Sequence, residues 1–307
     1  MPDELLEKVR KAIELTGYPL ELESASIAEQ RGWIPFHSVQ YPDPTTQKLR
    51  ELDLLIYKNI NQRRLELHIS CKSSSNKQFV FFTCDRGHYP AAMDLKFTPV
   101  IDNIEHRRSI PDLLSNLRFF ASPREAVNYT MLSGPMVDRD AKALLYDAIM
   151  STVTSIHHRP LPHRLLFDQR GTIYFFVVLV RGRMFDARFD HSIKSMVVEE
   201  TDYAQWCGQF TVPDSYLRLF IDDHDGKKVP FTHVLHWFGD WIRVEFVKDT
   251  YFPSYLDHLE QVFGQLEENA ISIFGKPWLP EHFPKIVKEG PRLKPKSSIK
   301  RKTHSRK

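Results

Sequence analysis

Hydrophobic periodicity divides the chain into two differently patterned parts. Leu5, Leu6, Val9, Ala12 and Ile13 recur at helical spacing from Glu4 to Leu15, and Thr16-Gly17 ends that stretch. Pro19 suits the first turn of a second helix reaching about Arg31, with Gly32 as its closing residue. Trp33 to Gln40 reads as a strand. The turn-rich YPDPTTQKL leads into a second strand, RELDLLIYK, and Asn59 to Arg63 make a hairpin turn. LELHISCK then returns as a third strand, with Leu65, Leu67 and Ile69 alternating against Glu66, His68 and Ser70. FVFFT at 79–83 reads as a fourth, wholly apolar strand. One sheet with helices packed on it, an α/β arrangement, follows from this order.

Beyond about residue 110 the pattern changes. Helical stretches are predicted near Ser122–Leu132 and Asp138–His157, then strands at Arg164–Asp168, Ile173–Arg181, Met184–Phe189, Met196–Glu200, Thr232–Phe238 and Trp241–Lys248. Gly239-Asp240 joins the last two as a hairpin, and Phe252–Ile273 forms an amphipathic helix. The expected organisation is a first domain over 1–110, an α+β second half over 111–287, and a disordered basic tail over 288–307.

Charge sharpens that division. Residues 288–307 carry nine Lys/Arg against the single acid Glu289, whereas residues 1–287 hold 33 basic against 38 acidic side chains. The tail would attract phosphate without sequence preference, chiefly through Lys294, Lys296, Lys300, Arg301 and Lys302. Three cysteines, Cys71, Cys84 and Cys207, form neither a paired framework nor a metal-binding C-x-x-C, which points to a reducing compartment. With no signal-like segment and no apolar run able to span a bilayer, the expectation is a cytoplasmic protein with no membrane partner.

The chemistry-bearing residues concentrate on the second and third strands. Asp53 lies among Leu52, Leu54 and Ile56, where an acid is unfavourable for strand packing, and Lys72 ends an otherwise apolar strand. Alternation puts Glu51 beside Asp53, and Glu66, His68, Ser70 and Lys72 on one face of their strand. An acid and a lysine held on adjacent strands suit a hard divalent cation, with the lysine steadying the attacking water or the developing charge.

The ordered set GYPLELESASIAEQRGW, RELDLLIYK, LELHISCKSS and FVFF resembles the Mrr-like restriction endonucleases of the PD-(D/E)XK superfamily, over about residues 16–85. Glu21 precedes Gly32-Trp33 as the family's helix glutamate precedes its glycine-aromatic pair, Asp53 matches the strand aspartate, and Ser70-Cys71-Lys72 stands where the family has Glu-x-Lys or Gln-x-Lys. The resemblance implies a restriction-endonuclease-like mixed sheet flanked by helices, and Mg²⁺ or Mn²⁺ held by Asp53, Ser70 and the backbone carbonyl of Cys71. Glu21 would bind or orient that ion, and Lys72 would assist the water. Serine at position 70 removes one charge from the expected ligand set. Glu51 is the better replacement ligand, since Glu66 is about 13 Å along the strand from Ser70, while His68, two positions away, could reach toward the site.

The implied activity is Mg²⁺-dependent hydrolysis of DNA of restriction or defence type. The alternative is a nuclease-fold protein that binds nucleic acid, a protein partner or a second copy of itself without cutting. Other clusters carry less. His157, His158 and His163 match no closed zinc spacing, and IDDHDGKK at 221–228 lacks a calcium loop's final acid and reads as a solvated turn. Arg181, Arg183 and Arg188 are weaker candidates for phosphate contact.

Overall fold

The computed structural model describes residues 2–14, 16–43, 48–60, 63–85, 100–101, 124–134, 136–137, 139–155, 172–209, 220–222, 228–230 and 241–274. These form four helices, α1 (Pro2–Glu14), α2 (Tyr18–Gln30), α3 (Arg139–Thr154) and α4 (Phe252–Phe274). The principal strands are β1 (Ile34–Pro42), β2 (Leu49–Ile60), β3 (Arg63–Asp85), β4 (Val100–Ile101), β5 (Arg124–Ser133) and β6 (Met136–Val137). They continue with β7 (Thr172–Asp190), β8 (Ser195–Glu200), β9 (Tyr203–Gln209), β10 (Phe220–Asp222), β11 (Lys228–Pro230) and β12 (Trp241–Lys248). The protein is mixed α/β. Ten strands share one mixed sheet, and β10–β11 make a separate pair.

The long strands β3 and β7 organise that sheet. They pair in parallel from Arg64↔Thr172 to Phe82↔Ala187, with a register shift between Ser73 and Gln78. β2 covers the other side of β3 up to Ile69, and β5 covers it from Lys77 onward. Pairing then runs from β5 to β9, from β9 to β12 and from β12 back to β7, so five strands close a circuit. Within it lies a core containing Phe79, Phe81, Tyr129, Phe176, Val178, Val244 and Phe246, into which α3 sets Leu145, Ala148, Ile149 and Val153. The opposite face carries Leu54, Ile56, Leu67, Ile69 and Leu179 beneath α2 and α4. β3 over 65–71 and β7 over 174–180 are thus buried on both sides, as strands in the middle of layered α/β sheets are.

Local chemistry explains the helix ends. Gly32, at φ 73°, adopts the left-handed conformation after α2, and Trp33 N returns to Ala28 O at 3.0 Å. Lys58 Nζ, at 2.6 Å from Arg31 O and 2.7 Å from Glu260, ties that end to α4, as does Trp33 Nε1 donating to Glu260 at 2.7 Å. On α1, Leu5, Leu6, Val9 and Ile13 remain exposed.

Several expectations are corrected. Residues 65–72 and 79–83 are two parts of one strand, β3, with its irregularity between 73 and 78; β7 likewise runs unbroken through Gly182, joining what read as two strands. A Cβ on Gly182 would approach Ser74 O to 2.9 Å, so glycine marks a close passage rather than a turn. The stretch near Ser122–Leu132 is not helical over its described residues: β5 makes a long antiparallel ladder to β3. Its irregular spacing of buried residues, Glu125, Ala126, Tyr129, Thr130 and Met131, goes with a register shift in that ladder: Phe82 pairs with Asn128 and Thr83 with Ala126, so Val127 is an extra residue that breaks the alternation. β9 forms over Tyr203–Gln209, where the sequence pattern predicts no strand. The expected strands at 164–168 and 232–238, the hairpin at 239–240, His157, His158, His163 and the basic tail lie outside the described residues. No helix among those described is long and apolar enough to cross a membrane.

Candidate active site

Asp53 stands where the β2–β3 ladder stops. Backbone pairing runs from Ile60↔Arg63 to Leu54↔Ile69 and no further. Beyond it the Asp53 carboxylate enters the gap: Oδ2 accepts the Cys71 amide at 2.6 Å and the Ser70 hydroxyl at 3.0 Å. Lys72 Nζ lies 3.9 Å from the same oxygen, with both side chains partly open to solvent. A carboxylate fixed by an amide, a hydroxyl and an ammonium is pre-oriented, and its other oxygen has no hydrogen-bond partner among the described residues.

Glu21 completes the cluster from the first turn of α2, where the helix N-terminus favours a negative charge. Burial, then the charges of Asp53 and Glu51, push its pKa up to about 7, and Lys72 opposes them. Glu21 therefore feels two further acids and one lysine where the β2–β3 ladder stops, although the four come from a helix and two strands. Glu51 is exposed. Cys71 is buried with its thiol pKa raised by burial and by Asp53 and Glu21, which suits a core residue and not a nucleophile.

Ser70 behaves differently from a ligand. It is 1% exposed and commits its proton to Asp53. His68 does not reach the site. Its Nδ1 lies 2.6 Å from Ser155 Oγ and its Nε2 3.2 Å from Glu66 Oε1, with Tyr174 and Phe176 edge-on to the ring. Ser155 also donates to Thr152 O at 2.6 Å, which ties the ring to the end of α3. Glu66 is fully buried and also accepts from Arg64 Nε at 2.8 Å. The polar face expected on β3 is therefore an interior network.

Magnesium is commonly held by one or two carboxylates, several waters and substrate phosphates. Asp53 and Glu21 fit that water-rich pattern. They do not fit a closed protein cage: among the described residues no group of three or more His, Cys, Asp or Glu side chains is placed to hold a metal ion.

Two further features escaped the sequence. Arg181 donates to Asp249 at 2.7 Å and to Glu23 at 2.5 Å, bracing α2 against β7 rather than standing open for phosphate. Ser38 has a left-handed backbone, φ 53°, on the strand beside Asp53, and a serine in a strand carries no signal of this. No protein-family model, curated protein or solved structure matches the chain.

Proposed function

We propose that this chain is a metal-dependent DNA endonuclease with a restriction-endonuclease-like site built from Asp53, Lys72 and Glu21. The observation that supports this reading is the convergence of Asp53 and Lys72, 3.9 Å apart, beside a glutamate whose pKa is about 7. Perturbed ionisation within a carboxylate–lysine cluster is characteristic of sites that handle charge. A bound Mg²⁺ or Mn²⁺ would polarise the scissile phosphate and acidify a water. Asp53 would hold that ion through its unpartnered oxygen, and Glu21 would give up its proton as the ion arrives. The Lys72 ammonium would steady the attacking water or the charge developing on the phosphoryl oxygens. The basic segment at 288–307 would add salt-sensitive attraction to DNA.

Ser70 favours a second reading. Its buried, neutral side chain leaves two carboxylates nearest the gap, which suits a nuclease-like protein that binds nucleic acid or a protein partner without cutting. Incubating the protein with plasmid and single-stranded DNA in Mg²⁺ or Mn²⁺, beside Asp53→Ala and Lys72→Ala, separates the two. Metal-dependent nicking lost in both variants supports the enzyme; DNA binding without nicking supports the second reading; neither binding nor nicking removes the enzyme and the nucleic-acid form of the second reading.

A further inference from the structure

The register of β1 against β2 is the same on both sides of Ser38: Ile34↔Tyr57 through His37↔Leu54, then Val39↔Leu52 through Pro42↔Leu49. No residue has been inserted. One pair, Ser38 with Asp53, is missing, and Ser38 is the residue with the left-handed backbone. L-residues other than glycine occupy that region at a cost, and serine has no special tolerance for it. Its side chain is exposed and makes no hydrogen bond among the described residues, so no contact of the hydroxyl accounts for the conformation.

The neighbouring strand shows what the break does. Leu54 and Ile56 lie in the core under α2 and α4, as alternation requires. Leu52 and Leu55, three positions apart and due on opposite faces, instead share one cluster with Tyr41, Val39 and Tyr57. β2 is therefore rotated at residue 53. Because the ladder to β3 also ends at Leu54, Asp53 is free of backbone pairing on both sides, and its carboxylate occupies the gap toward Cys71.

We infer that Ser38 is a positioning residue: its left-handed backbone interrupts the β1–β2 ladder opposite Asp53 and thereby sets the Asp53 carboxylate into the gap beside Ser70, Cys71 and Lys72. The role in catalysis rests on the nuclease reading, but the geometry is testable without it. The competing explanation is that the kink, with Pro35 and Pro42, only blunts β1 as an edge strand.

The test compares Ser38→Gly and Ser38→Asn, which accept the left-handed region, with Ser38→Val and the milder Ser38→Thr, which disfavour it. Carbon-13 NMR follows the Glu21 carboxyl titration, Mn²⁺ binding is followed by electron paramagnetic resonance, and a thermal melt checks folding. Gly and Asn should keep the Glu21 midpoint near 7, because Glu21 stays buried and the Asp53 charge still faces it. The β-branched variants should lower it, with burial still holding it above 4.5, and weaken Mn²⁺ binding by about tenfold or more. Val and Thr variants that fold, keep the wild-type midpoint and bind Mn²⁺ equally well would overturn the inference, and gain of self-association alone would point to edge protection. Failure of both β-branched variants to fold would make Ser38 a fold determinant and likewise overturn it. Absence of DNA cleavage by the wild type would remove the nuclease reading while the Glu21 midpoint still decided the role of Ser38.

Discussion

The Cys71 amide donates to Asp53 Oδ2 at 2.6 Å, so a side chain takes over immediately beyond the last backbone pair between β2 and β3, Leu54 with Ile69. This join couples the candidate site to the sheet: moving either strand moves the carboxylate. It also concentrates acids in a half-buried gap, where burial first and the neighbouring charges second disfavour another ionised carboxylate.

Glu21 ionises near pH 7 in the folded protein against an ordinary value of 4.5. The native state therefore holds a proton that the unfolded chain has already lost between these values, and stability must fall as pH rises through that window. Below it both states are protonated and the penalty vanishes. Glu21→Gln should flatten the decline and, by pH 8, stabilise the metal-free protein by about 1–2 kcal/mol once solvent screening is allowed for. Urea unfolding at a series of pH values measures this. A variant with an unchanged pH profile would contradict the crowded-site account.

Ser70→Glu tests the departure from the expected ligand set. A carboxylate at this buried position adds a like charge beside Asp53 and should destabilise the metal-free protein by about 1–3 kcal/mol. Mg²⁺ should restore that loss and raise the melting temperature more than it does for the wild type, since a ligand bound only by the native state stabilises it. Calorimetry with and without the metal reads both effects, and increased nicking would accompany them.

Gly182→Ala should cost about 1–3 kcal/mol, because the new methyl group meets Ser74 O at 2.9 Å and Phe79 Cε2 at 3.0 Å in a passage with little room to relax. The loss should appear as a lower midpoint in denaturant with an unchanged slope.

His68→Phe keeps the ring volume but strips two partners, Ser155 and Glu66, in a fully buried setting. We expect a loss of about 2–4 kcal/mol with no direct change in Mn²⁺ affinity. An affinity change without a stability change would return His68 to the site.

Much of this was legible in the sequence, for physical reasons. Helices α1 and α4 follow apolar stripes, and α2 follows its start at Pro19 and its stop at Gly32; Asp53 and Lys72 stand out because charge is unusual in strands of that composition. What stayed hidden depended on distant partners. β5 looks helical until its ladder to β3 is known. Glu66 and His68 share a polar face by alternation, yet Ser155, the residue after α3, closes over them. Ser38 could not be noticed at all, since its conformation is set by the strand pair it interrupts.

The parallel alliance of β3 with β7 has a consequence for how the protein is made. Arg64 must wait for Thr172, more than a hundred residues later, before this side of its strand is satisfied. At ribosomal speeds that is an interval of roughly 5–20 s. Throughout it, an apolar ribbon leaves the tunnel with an open hydrogen-bonding edge, vulnerable to neighbours on the same message. Yield in a cell should accordingly depend on chaperone capacity during synthesis more than on the stability of the finished molecule.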